Sequence, residues 1–499
     1  MSEFLENLSQ EEESRLNKPI TVKFLLTFTV PTILSFMIMG IFGTIDSVFA
    51  ARGISNEALA AVNFVAPFFS FAMAISAMLS MGGSALVAKK KGKKLHREAR
   101  ENLSLITLVA FITSAIIAVA GWFARVPLLR LLGARTGYIY APELGYIYDS
   151  SVFELAVEYI TPLILMMPFI MVGVVLVQFL IAEGRPVLGM IASSSGAIVS
   201  TSLNAIFIFG FDMGVMSLAL ATGIGYTVPA LLGAVYFTFN RKGTLYFVKP
   251  KFDIYALGRS SLNGISEMIT MMSGTVATTV MNNVLVSIVG WEGVAASGAV
   301  FALIWLFMSM FVGYSAGVAP VISYNYGKKL HYGLDSAEGQ ERRENLKNIY
   351  KKSLFIIGAI AAVALVGTLS FSDLLVRIYF SPDDLPMGHM HTMAVRGLRI
   401  ASTAFVLMGF NIFATGMFTA FNDGLVSGFM SLMRTMVFSL AMMLTLPRIF
   451  GLDGVWLAFA FPEVLSIFIT IFFLVKMSKK YHYREKGMPE LLPKQLFKR

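Results

Sequence analysis

Along most of the chain, long apolar stretches alternate with short polar ones that are rich in lysine and arginine. The first 19 residues are polar and carry Glu3, Glu6, Glu11, Glu12 and Glu13, with no basic stretch leading into a short apolar core, so a cleavable signal peptide is not expected. Twelve apolar segments follow: 20–51, 58–88, 102–124, 158–182, 187–210, 213–240, 258–289, 293–325, 350–372, 396–421, 425–447 and 453–477. Each approaches or exceeds the ~20 residues that cross a bilayer as a helix. Lipid offers no partner to backbone N–H and C=O groups, so these segments are predicted to be helices.

Composition narrows the class. The 499 residues are 56% hydrophobic and 14% charged, with 42 Phe and 30 Met. Soluble domains carry about 25% charged residues. So large an apolar excess cannot be buried within one soluble fold, and the bilayer must be its solvent. The absence of cysteine excludes disulfides, thiolate metal sites and thiol catalysis.

The net charge of +10 would suit nucleic acid, but its placement says otherwise. With the amino terminus on the cytoplasmic side, 30 of the 40 cations fall in inward segments and six in outward loops. Lys23, Arg396, Arg399 and Arg434 lie within or at the ends of helices. Such a split follows the positive-inside rule and predicts cytoplasmic termini, contact with membrane lipids and no nucleic-acid partner.

The chain also repeats. Gly92-Lys93-Lys94-Leu95-His96 recurs as Gly327-Lys328-Lys329-Leu330-His331, and Arg100-Glu101-Asn102-Leu103 as Arg343-Glu344-Asn345-Leu346. Each GKKLH follows the second helix of its half. The fold class expected is therefore an all-α polytopic membrane protein, with twelve transmembrane helices in two parallel-repeat six-helix lobes around a central path. Its parts would be a tail 1–19, an N-lobe 20–240, a linker 241–257, a C-lobe 258–477 and a tail 478–499.

The order of several short motifs resembles the multidrug and toxic compound extrusion (MATE) transporters, near their bacterial NorM- and MepA-like branches. It runs from Pro31 and Gly43-Thr44-Ile45-Asp46-Ser47 through Leu59-Ala60-Ala61-Val62, Gln178 and Glu183-Gly184-Arg185-Pro186. It continues with Phe207-Ile208-Phe209-Gly210, Met213-Gly214-Val215 and Ala219-Leu220-Ala221-Thr222. The resemblance implies export of amphipathic, often cationic organic compounds against H⁺ or Na⁺, by rocking of two lobes. It implies a bacterial or archaeal cytoplasmic membrane and no enzymatic activity. No cofactor beyond the coupling ion is expected, and a monomer suffices.

Charges inside the bilayer each need a reason, because insertion costs about 2.5–3.5 kcal/mol apiece. Asp46 lies fifteen residues beyond Pro31, whose ring permits a kink. A change of charge there could bend or straighten the helix; a plain helix-end cap is the other reading. The resemblance makes Asp46 the amino-lobe cation or proton site and Pro31 the bend. On the polar fifth segment, Ser200 and Asn204 share a face one turn apart. Their oxygens suit partners of Asp46 or ligands of Na⁺, and close helix packing is the alternative. Tyr159 and Gln178 are weaker candidates for the same cavity, with Phe64, Phe68 and Met271 as adaptable apolar walls and Asn411 as a further substrate-cavity candidate.

Glu267 is a second candidate coupling carboxylate, or else a member of a structural ion pair. The resemblance pairs such an acid with an aspartate on the tenth helix, where this chain offers only Asn411 in the interior. Arg434 and Glu463 lie at comparable depth on adjacent helices and read as an ion pair. Gly137-Tyr-Ile-Tyr140 and Gly145-Tyr-Ile-Tyr148 form a tandem motif in an outer loop, where tyrosines anchor at the interface. The five histidines fall outside the predicted spans and no phosphate-binding glycine loop is present, which argues against a membrane metal cluster and direct ATP drive. A lipid-linked sugar flippase of the same superfamily, or an integral-membrane transferase, remains as an alternative.

Overall fold

A computed structural model describes residues 16, 18–132, 137–141, 145–149, 151–241, 243–289, 291–380 and 387–484. Most of the predicted tail 1–19 and the end of the tail 478–499 lie outside them. The N-lobe comprises α1 (Val22–Val48), α2 (Asn56–Gly92), α3 (His96–Leu131), α4 (Ser151–Glu183), α5 (Pro186–Ala205) and α6 (Met216–Phe239). The C-lobe comprises α7 (Ile254–Ile288), α8 (Trp291–Tyr332), α9 (Ala337–Arg377), α10 (Met387–Ala401 and Phe405–Ala420), α11 (Gly424–Ser431 and Ser439–Phe450) and α12 (Leu452–Lys476). Side-chain oxygens start several of them: Thr21 accepts from Phe24 N, Ser55 from Ala58 N and Ser336 from Gly339 N.

Among the described residues eleven helices are long and apolar enough to cross a membrane. The exception is α7, which begins four residues before the predicted 258. Its polarity has a location: Ser260, Asn263, Ser266 and Ser273 are buried. These four face protein, so serine and asparagine cost the helix little there. The described parts of the predicted outer loop hold regular structure. Helix α3 continues to Leu131, and Gly137–Ala141 pairs antiparallel with Gly145–Asp149, with Tyr138 opposite Tyr148.

The two halves pack alike. In the N-lobe α1 lies on α5, α2 on α3 and α4, and α6 on α4 and α5. In the C-lobe α7 lies on α11, α8 on α9 and α10, and α12 on α10 and α11. The lobes meet through α1 with α8, α2 with α7, and α2 with α8. At the last crossing stand the glycines of the two GKKLH copies. A Cβ on Gly92 would lie 2.1 Å from Tyr324 O, and one on Gly327 would lie 2.1 Å from Lys89 O. The repeat thus keeps glycine where two backbones touch. Across the same end Lys89 sits 5.0 Å over the Tyr326 ring, and Asn422 Nδ2 donates to Ala85 O.

Each lobe also carries a strap after its sixth helix. In the N-lobe, residues 243–248 fold back from the predicted linker. Leu245 N and Thr244 Oγ1 donate to the Glu183 carboxylate, which Lys91 Nζ meets at 2.7 Å. In the C-lobe, residues 478–484 do the same. Tyr481 Oη and Lys480 Nζ donate to Asp423, Lys329 Nζ donates to Tyr481 O, and the Tyr481 ring stacks on Phe421 at 4.4 Å. Glu183 ends the fourth helix of its lobe and Asp423 follows the fourth helix of the other.

Candidate functional site

The last turns of α1 and α5 are built around π-helical segments, Phe49–Ile54 and Ile206–Gly210. These wide turns pack on each other, with Phe49 and Phe209 rings 6.0 Å apart and Ile208 against Gly53. Their contact draws the preceding residues, Asp46 and Asn204, together. Asn204 Nδ2 donates to Asp46 Oδ1 at 2.7 Å, and Thr222 Oγ1 of α6 donates to Asp46 Oδ2 at 3.3 Å. Tyr159 and Tyr226 lie within electrostatic reach of the carboxylate. Asn204 is wholly buried and its Oδ1 has no partner.

No cation pairs with Asp46 among the described residues. Hydrogen bonds to a charged group are worth about 1.5–3 kcal/mol each. Two of them are of the size of the insertion cost, so the carboxylate is tolerated but not neutralised. The orphaned Asn204 oxygen, the Thr222 hydroxyl and the carboxylate are hard oxygen donors, suited to a small cation or a proton. The described residues hold no group of three or more His, Cys, Asp or Glu that could take a metal ion.

The other sequence-derived candidates scatter. Ser200 is buried beside this site but packs on Gly225, where an added Cβ would lie 2.5 Å from its own Cβ; its role visible here is the α5–α6 crossing. Tyr159 borders the site and packs over Ala50, Ile208 and Leu218. Gln178 does not join it: nineteen residues further along α4 place it about 28 Å away. Phe68 packs against Gly121 of α3, in the core within the lobe, and Phe64 covers the same cluster. Pro31 is buried in α1, with Gly313 of α8 against the next two residues.

In the C-lobe, Arg434 Nη1 meets Glu463 Oε1 at 3.1 Å, both nearly buried, as expected of an ion pair. Asn411 joins this pair. Its Nδ2 donates to Glu463 Oε2 at 2.7 Å and its Oδ1 accepts from Thr470 at 2.7 Å. Glu267 is half-buried on α7, within electrostatic reach of Arg434. Met271 is half-buried one turn further on. Sequence reasoning does not single out Thr222, Tyr226 or Thr470. Thr222 ends a motif notable for its order alone, and nothing in its spacing aims it at Asp46.

The MatE family model matches residues 31–206 and 265–445, one stretch in each lobe. The chain belongs to the MatE family. It is 24% identical to the multidrug export protein MepA of Staphylococcus saprophyticus, over 90% of this chain and 92% of that one. It is 22% identical to MepA of Staphylococcus haemolyticus, over 92% and 94%. Among solved structures, an outward-facing multidrug resistance MATE family transporter of the MOP superfamily superposes with a TM-score of 0.82 at 20% identity, covering 93% of this chain and 98% of that one. A MOP superfamily transporter from Pyrococcus furiosus, described as having a binding pocket of reversed polarity, superposes at 0.81 and 20% identity, covering 93% and 97%. These structures share its fold, and its curated relatives are MATE multidrug export proteins.

Proposed function

We propose that this MatE protein is a secondary active exporter of amphipathic, cationic organic compounds, driven by inward movement of H⁺ or Na⁺ and working by alternating access. The observation that carries the reading is the Asp46 carboxylate, which is held by the neutral donors Asn204 and Thr222 and meets no cation among the described residues. A coupling cation reaching Asp46 would supply a countercharge. Its arrival would compete with the Asn204 and Thr222 bonds, and those bonds tie the end of α1 to α5 and α6. Release of the α1 end would then be coupled to the cation. Pro31, next to the α1–α8 contact, is where such a helix would bend. With 100 mV across the membrane, one inward charge supplies about 2.3 kcal/mol.

Inward placement of the basic end and both termini, in a cytoplasmic membrane, belongs to the same reading. It rests on the distribution of lysine and arginine. The test is efflux of a cationic dye from vesicles under separately imposed H⁺ and Na⁺ gradients. Dye movement should follow one gradient and vanish in Asp46→Asn. Efflux by that variant at the unaltered rate, or dependence on neither gradient, overturns the proposal.

A further inference from the structure

A groove of about 570 Å³ runs between α3, α4 and α6 at the end opposite the GKKLH loops. Its walls are Val126, Phe153, Val157, Leu165, Met216 and Leu220. None of its lining comes from α1 or α2, which make most of the contact with the other lobe, and the groove opens at the outside of the N-lobe. Leu165 on its wall is 55% exposed, as suits a residue facing lipid. At its mouth, in the first two turns of α4, stand the exposed Glu154 and Glu158. Glu158 lies beside Gly214 and makes no hydrogen bond or ion pair among the described residues. Arg130, in the last turn of α3, holds its guanidinium 6.0 Å over the ring of Phe153.

The repeat supplies a comparison. The C-lobe has a groove of about 270 Å³ in the matching place, between α10 and the α11–α12 turn. There Arg396 on the fourth helix of the lobe pairs with Asp453 at the start of the sixth, and the charges cancel within the protein. In the N-lobe the fourth helix carries acids, and the turn facing them offers Gly214. The charge of Arg396 is met within the protein, whereas Glu158 meets no cation among the described residues.

An occupant must bring a cation for Glu158, tolerate Arg130 and place an apolar body in the groove. From Glu158 to Met166 the groove follows α4 for about 12 Å, the length of part of an acyl chain. Both signs of charge at the mouth, at helix ends where headgroups lie, favour a zwitterion of the leaflet over a simple organic cation. We propose that this groove binds one aminophospholipid, with its ammonium at Glu158, its phosphate at Arg130 and a chain along Val157 and Leu165.

The experiment is native mass spectrometry of the full chain released from nanodiscs containing equal amounts of phosphatidylethanolamine, phosphatidylcholine and phosphatidylglycerol. One phosphatidylethanolamine should be retained in preference to the other two, since a quaternary ammonium cannot donate hydrogen bonds and phosphatidylglycerol has no cation. Glu158→Gln should weaken that retention roughly fivefold, which is about 1 kcal/mol. Leu165→Trp, which fills the groove and leaves the charges in place, should abolish it. Equal retention of the three lipids, or unchanged retention by both variants while they elute as folded protein, overturns the assignment. So does displacement of all three lipids alike by an alkyltrimethylammonium ion, which would make the groove a site for organic cations.

Discussion

The two lobes share a fold and divide their interior charge differently. In the N-lobe α1, α5 and α6 converge on Asp46 with neutral donors only. In the C-lobe α10, α11 and α12 converge on Glu463, which Arg434 neutralises and Asn411 saturates. Along the ungapped repeat, Asp46 matches the core residue Met281, and Glu267 matches the buried Thr32. Neither acid is therefore an inherited duplicate of the other. A buried ion pair contributes little net stability but is costly to break from one side. An unpaired carboxylate on hydrogen bonds is the reverse, cheap to remove and open to a cation from outside. On the proposed function, the N-lobe is the one that responds to an ion and the C-lobe the one that holds its shape.

The largest effect should come from exchanging charge for shape at Asp46. Asp46→Asn should reduce gradient-driven dye efflux to the background of empty vesicles. It should change stability by less than about 1 kcal/mol, because the amide fills the same space. Thermal unfolding in detergent beside the transport assay separates the two. A variant that unfolds instead of merely failing to transport would make Asp46 a structural residue and erase the contrast.

Arg434→Leu should show the opposite pattern, destabilising by about 3–5 kcal/mol because Glu463 is left buried without its countercharge. Adding Glu463→Gln should recover most of that loss in the same unfolding measurement. Failure of the double variant to recover would mean that Arg434 is needed for a different partner, with Glu267 the first to examine.

Within the N-lobe site, the two bonds to Asp46 can be ranked. Asn204→Ala removes the shorter one and should lower efflux at limiting ion by about tenfold or more, as expected for ~1.5 kcal/mol or more. Thr222→Val removes a bond of 3.3 Å and should cost less. The reverse order in initial rates would place the coupling geometry on α6 and not on α5.

Much of this architecture is legible in the amino-acid sequence. Twelve apolar segments and a five-residue repeat suffice for two lobes of six helices, because lipid leaves the backbone no alternative to helix. Only α7 strains that logic, since Ser260, Asn263, Ser266 and Ser273 on it are buried. The site is legible in unequal parts. Asp46 stands out because so few acids lie in the interior, but Asn204 is 158 residues away and is marked only by the polar face it shares with Ser200. Thr222 carries no mark of its own on α6. Arg434 and Glu463 pair by their depth, while Asn411 reads as a cavity residue because nothing in its sequence neighbourhood points to Glu463. The straps leave no signal: residues 241–257 look like a plain linker, and their anchors Glu183 and Lys91 belong to distant helices. Hydropathy records what faces lipid and says little about which polar groups meet inside.

The straps extend the comparison to the basic end, with a smaller effect. Glu183 and Lys91 are almost fully enclosed, whereas Asp423 is 12% and Lys480 57% exposed, so the C-lobe strap is the looser of the two. Burial would push the Asp423 carboxyl up, but the Tyr481 hydroxyl and the Lys480 ammonium outweigh it and hold the group below the usual carboxylate range. A carboxylate depressed in the docked state stabilises that state above its free value, near 3.9, and loses the contribution as pH falls through the depressed value. The contribution of Asp423 to docking of 478–484 should therefore be insensitive to pH around neutrality and weaken only in acid. Hydrogen exchange compares the strap amides of the unaltered chain and of Asp423→Asn at matched pH, so intrinsic exchange cancels. The variant should exchange a few-fold faster near pH 6, a modest difference because the pair is partly solvated. The difference should close as the pH drops below the depressed value, where Asp423 is itself neutral. A gap that persists in strong acid would mean that the Tyr481 ring on Phe421, and not the carboxylate, holds the strap.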